Sequence, residues 1–184
     1  MSNVRVSAHD AIVEAAFQLL NEVPTASLGD IAKRAGVGRA TLHRHFPGRT
    51  ELMRTLARTA MDELDAAVEA ATANAPSYTE ALRLSLAAMI PLASRQWFLA
   101  NNPIVNDPRI AAALAEDRRL LDEAIAEAQN EGAFAPELPA KWISETYDAL
   151  LFAAWTMVRD GDATPRQAAE LAWRTLIKGV GADR

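Results

Sequence analysis

Residues 27–51 read SLGDIAKRAGVGRATLHRHFPGRTE, and their spacing decides what the rest of the chain can be. Leu28, Ile31, Ala32 and Ala35 fall at helical spacing and form one apolar stripe. Ser27 stands where an N-cap belongs, and Asp30 three residues on gives a capping-box pattern with Asp in the usual Glu place. Gly36 follows the stripe directly, and a residue without Cβ readily takes the left-handed conformation that ends a helix. Val37 is an apolar plug in the turn. Residues 39–46 then read as a second short helix, stopped by Pro47-Gly48. A third helix starts at Arg49.

At about 100° per residue, Leu42 and Phe46 share one side of the second helix and anchor it. The opposite side carries Arg44, flanked by Ala40 and Thr41, with His43 and His45 to either side. A slim face with donors along its middle and edges is what a helix needs to enter a major groove. Read from periodicity alone, a solvated surface helix fits the same pattern, because paired short helices with a glycine turn are common.

The residues themselves go further. The segment resembles the DNA-binding signature of the TetR (tetracycline repressor) family of bacterial transcription regulators. That signature runs roughly as a polar helix start, IA..AGV, TLY.YF and P-[small]-K-[acid]-x-L. The matches are Ile31-Ala32, Ala35-Gly36-Val37, Thr41-Leu42, Phe46-Pro47 and Leu52. His43 and His45 replace aromatic hydroxyls, Gly38 and Gly48 replace capping serines, and Arg49 stands for a lysine. The resemblance implies an all-α fold, with a three-helix helix-turn-helix head over residues 1–50 and a helical ligand-binding and dimerisation bundle over 51–184. It implies a homodimeric repressor on a palindromic double-stranded DNA operator, released by a small apolar or aromatic effector. With the angular map, the matching positions place Thr41 and Arg44 in the groove and Arg39 at its edge. Ser27, His43, His45 and Arg49 are assigned to phosphates.

Charge divides the same way. The chain of 184 residues carries a net −5. Residues 1–60 hold eight Lys or Arg against five Asp or Glu, a net +3, with all three histidines. Residues 61–184 hold eleven against nineteen, a net −8. The basic end is the candidate nucleic-acid face, and the acidic end helps orient the molecule by repelling phosphate. Absent cysteine rules out disulfides and zinc–thiolate sites. No signal pattern or spanning apolar run stands out, so a cytoplasmic protein without a membrane partner is expected.

An enzyme is not expected. No histidine or cysteine follows His45, and no E-x-x-H motif supports a di-iron bundle. His43 and His45 diverge on their helix and make a poor metal pair. Neither cofactor nor metal is expected. Met1 to Val6 read as a loose arm whose Arg5 is more naturally a terminal residue than a phosphate contact.

The later segments read as long helices. Pro91 should kink or split the one that starts after the Ser77–Glu80 capping pattern. Met89, Trp97, Phe98, Trp142, Tyr147, Phe152 and Trp155 are candidate effector-lining residues, although aromatics at this spacing also simply fill cores. The last two helices, about 140–159 and 165–179, are apolar around more than one face, with Asp160-Gly161-Asp162 between them. They need a second surface to bury against, which the resemblance supplies as a four-helix dimer interface, with Ala153, Ala154, Met157, Ala168 and Ala172 at close approach. Control by a protein partner instead of an effector, or no effector at all, is the alternative.

Overall fold

A computed structural model describes residues 7–181; Arg5 and the arm around it lie outside the described residues. The helices are α1 (Ala8–Glu22), α2 (Leu28–Arg34), α3 (Arg39–His45), α4 (Arg49–Thr72), α5 (Tyr78–Met89), α6 (Ala93–Asn101), α7 (Pro108–Asn130), α8 (Ala140–Asp160) and α9 (Pro165–Val180). Among the described residues no strand forms; the one β-type contact is an isolated bridge between Phe134 and Gly181.

Local chemistry accounts for most helix ends. Ser7 accepts from the Asp10 N–H at the start of α1, and Thr164 with Gln167 closes a full capping box on α9 behind Pro165. Gly161, at φ 83°, ends α8 in the left-handed region. Pro91 splits its helix instead of bending it. A 3-10 turn, Ile90–Leu92, separates α5 from α6, because proline brings no N–H to the ladder.

The start of α5 departs from the expected box. Ser77 accepts from the Glu80 N–H, but the Glu80 carboxylate turns to Arg83. Glu131, just past the end of α7, supplies the second cap. It accepts from the Tyr78 N–H at 2.7 Å, the Thr79 N–H at 2.9 Å and the Thr79 hydroxyl at 2.6 Å. The Thr79 hydroxyl, then the backbone donors, hold the Glu131 carboxyl below its ordinary value. A depressed carboxyl stabilises the fold above its unfolded value and loses that contribution as pH falls through the folded one. The stability gap between wild type and Glu131→Gln, read by urea titration, is therefore expected to be full at neutral pH. It should close on acidification below the ordinary glutamate range. A gap independent of pH would remove the charge from this cap.

The chain forms two compact units. The first runs up to Asp62 and takes in Ser94–Ala111. Its core includes Ile12, Ala16, Phe17, Ile31, Leu42, Phe46, Leu52 and Leu56. A boundary near residue 50 is not what packing produces, because α4 continues unbroken and α6 returns to α1. Phe98 meets the Phe17 ring edge-to-face at 5.3 Å, and the Arg95 guanidinium lies 4.5 Å from the centre of that ring. Arg95 also pairs with Glu14 at 2.8 Å, and the Asn21 amide donates to the Ser94 carbonyl at 2.8 Å. Asp107 caps α7 and binds Arg54 of α4 at 2.9 Å.

The second unit comprises Glu63–Ala93 and the residues from Ala112 onward. Leu82, Leu86, Ile90, Ile125, Phe134, Ile143, Leu151 and Leu176 fill its core. Tyr147 sits fully inside, tolerated because its hydroxyl donates to the Leu82 carbonyl at 2.9 Å. Burial pushes that hydroxyl far above the ordinary phenol range and keeps it a donor. Ala154, Ala168 and Ala172 also face this core and are almost completely buried within the chain. Their expected place in a dimer interface is corrected accordingly: small size lets α8 and α9 approach each other, not a partner.

Candidate nucleic-acid interface

The interface is assembled from the turn outward. Ser27 and Asp30 close the capping box on α2 in both directions. Gly36 has φ 68°, and the Val37 N–H reaches back to the Ala32 carbonyl at 3.0 Å, so the chain reverses in a residue or two. Gly38 then begins α3 without a side-chain cap. Leu42 and Phe46 are buried, and they fix the angle at which α3 lies on the core.

This anchoring leaves Arg39, Ala40, His43 and Arg44 exposed and Thr41 half-exposed. Ala40, Thr41, His43 and Arg44 belong to the face of small and donor-bearing side chains that the angular map describes, and Arg39 lies at its edge. His45 is half-buried. Its ring lies 6.0 Å from His9 and 6.4 Å from Phe46, with His9 itself 5.2 Å from Phe46. His45 thus packs the end of α3 onto the start of α1, which spacing within α3 gives no sign of.

Two phosphate assignments change. The Ser27 hydroxyl donates to Asp30 Oδ2 at 2.6 Å and its backbone N–H donates to the same oxygen at 2.9 Å. With the box closed, Ser27 keeps no donor for a phosphate; it anchors α2. Arg49 donates through Nη1 to the Ala26 carbonyl and through Nη2 to the Pro24 carbonyl at 2.9 Å. It straps the α1–α2 connection to the start of α4. Its partners lie more than twenty residues upstream, so no local pattern announces them. Arg49→Lys keeps the charge but loses the planar fork that spans two carbonyls. We expect it to lower stability by about 1–2 kcal/mol and to weaken DNA binding equally at all salt concentrations. A lysine variant as stable as wild type would return Arg49 to a purely electrostatic role.

The candidate effector residues are divided between the two units. Trp97 and Phe98 belong to the first unit, where Phe98 is committed to Phe17. In the second unit Tyr147 is core, Met89 packs half-buried against that core, and Trp155 is buried with Phe152 edge-to-face at 5.8 Å. Phe152 is 44% exposed and Trp142 60%. Such exposure makes Trp142 an outer-surface residue. Ala153 and Met157 are also exposed, on the same outer side of α8. No group of His, Cys, Asp or Glu suited to a metal occurs among the described residues. Nor is any helix there long and apolar enough to cross a membrane.

Residues 12–56, which contain this turn, match the family model described as bacterial regulatory proteins, tetR family. The HTH-type transcriptional repressor LfrR of Mycolicibacterium smegmatis (strain ATCC 700084 / mc(2)155) is 37% identical over 182 residues, 97% of this chain and 93% of its own. That identity over nearly both whole lengths decides the matter. The chain belongs to the tetR family of bacterial regulatory proteins. It is a DNA-binding transcriptional regulator, and the α2–turn–α3 unit is its helix-turn-helix. The crystal structure of LfrR from Mycobacterium smegmatis in complex with proflavine superposes with a TM-score of 0.74, at 34% identity, covering 96% of this chain and 99% of that one. The ketosteroid transcriptional regulator KstR2 of Mycobacterium tuberculosis shares the fold at a TM-score of 0.83, with 99% of each chain covered and 18% identity.

Proposed function

We propose that this tetR-family regulator is a ligand-responsive repressor that binds a palindromic operator as a homodimer in the cytoplasm and catalyses no reaction. The observation that carries the reading is the row Arg39, Ala40, His43 and Arg44, held outward on α3 by buried Leu42 and Phe46. Arg44 and Thr41 reach base edges, and Arg39 and His43 lie toward the flanking backbone.

Dimerisation rests on the outer side of α8. Trp142, Ala149, Phe152, Ala153 and Met157 are exposed there, with Leu171 exposed on α9. Large apolar groups left together at a surface mark an interaction site. Two heads related by a two-fold axis read half-sites about 34–36 Å apart, in successive major grooves. An effector that favours another head spacing releases the DNA by shifting the population.

The effector is a small aromatic molecule. Its support is the likeness to LfrR, whose structure holds proflavine. Proflavine is therefore the first probe. Selection of bound fragments from random DNA by the purified protein tests the whole reading. An inverted repeat, whose complex proflavine or another aromatic ligand dissociates, is the expected result. An asymmetric site bound by a single subunit would exclude it. Arg44→Ala is expected to flatten base preference at one position of each half-site by about 1–3 kcal/mol, measured by competition among single-base operator variants.

A further inference from the structure

The Arg39 side chain has an unusual seat. A Cβ built on Gly29 would lie 3.2 Å from Arg39 Nη2, 3.4 Å from Nε and 3.5 Å from Cζ. The guanidinium therefore rests against bare backbone in the first turn of α2. No hydrogen bond or ion pair among the described residues holds it there, although the Asp30 carboxylate is near enough to feel its charge. Guanidinium groups are weakly hydrated and lie readily on flat surfaces, and glycine provides one. The surroundings are open: Ser27, Leu28, Gly29, Arg39, Leu42 and His43 line a depression of about 290 Å³. A side chain at position 29 would project into that space. On α3, Arg39 lies about 140° around the axis from Arg44 but only about 40° from His43.

We propose that Gly29 is a positioning residue for DNA recognition: lacking a side chain, it lets the Arg39 guanidinium lie back across α2, directed to a backbone phosphate beside the groove instead of a base edge. The proposal rests on the regulator reading above. Glycine inside a helix is otherwise unfavourable relative to alanine, so this position forgoes local stability. A residue at 29 displaces only the far end of a flexible side chain, so the fold is retained while the contact is lost.

The test is a cycle of Gly29→Ala, Gly29→Leu, Arg39→Ala and the two double variants, measured by fluorescence anisotropy on the operator selected by wild type. Gly29→Leu should weaken binding about tenfold, the scale of one charged hydrogen bond. It should reduce the salt slope by about one and leave base preference unchanged. Gly29→Ala should act in the same direction but less, with a melting temperature at or above wild type. Neither should weaken binding further when Arg39 is already alanine. Full losses in that background would show that position 29 acts through the fold and overturn the proposal. So would wild-type affinity in both Gly29 variants, or an altered base preference at an unchanged salt slope. The alanine variant decides if the leucine variant does not fold. A wild type that selects no DNA would remove the regulator reading itself, an outcome distinct from a failed cycle.

Discussion

The double variant Ala153→Glu, Met157→Glu is expected to sediment as a monomer at micromolar concentration and to lose operator affinity by on the order of a thousandfold. Both residues are exposed on the outer side of α8, four positions apart and hence neighbours on one helix face. Placed across a two-fold axis, each carboxylate would meet its own copy or apolar surface, and burying such charge unpaired is costly. The monomer keeps a folded helix-turn-helix but holds one half-site, so weak, salt-sensitive, sequence-independent binding should survive. Circular dichroism should be unchanged, because neither side chain contributes to the core. A stable dimer from this variant would move the interface elsewhere. The same experiment at Ala154 or Ala172 would mislead: both are buried in the chain's own core, and a charge there unfolds the second unit whatever the oligomeric state.

Phe98→Ala is expected to destabilise the protein by about 3–5 kcal/mol, lowering its melting temperature by about 10 °C. The ring is 2% exposed and packs edge-to-face on Phe17, whose ring also supports Arg95. Removing it opens a cavity and loosens α6 from α1 together. Protection of the α1 amides in hydrogen exchange should fall before that of the α8 amides, since α1 and α6 belong to the same unit. Affinity for an aromatic ligand, measured well below the transition, should change little. The opposite pattern, near wild-type stability with lost ligand affinity, would restore Phe98 to an effector site.

The departures of Ala154, Ala172 and Phe98 from their sequence reading have one physical origin. Helix formation, capping and the turn at Gly36 depend on residues within four or five positions, and such spacing is written in the chain. The extent of α2 and α3, the split at Pro91, the capping box at Ser27 and the outward row on α3 were therefore legible before any coordinates. The family resemblance carried by residues 27–51, through Ile31-Ala32, Ala35-Gly36-Val37 and Thr41-Leu42, also pointed to a DNA-binding regulator, which spacing alone does not. What an apolar face is buried against is a different kind of fact. Ala153 and Ala154 are adjacent in sequence, yet one faces outward and the other faces α9, and only the packing angle of α8 on α9 distinguishes them. Phe98 and Trp155 are both buried aromatics, but the return of α6 onto α1 sends them to different units. Arg49 is assigned to a phosphate from its place in the sequence, and nothing local to Glu131 marks it as a cap for another helix. Their partners, the carbonyls of Pro24 and Ala26 and the first N–H groups of α5, are brought to them by the tertiary fold alone.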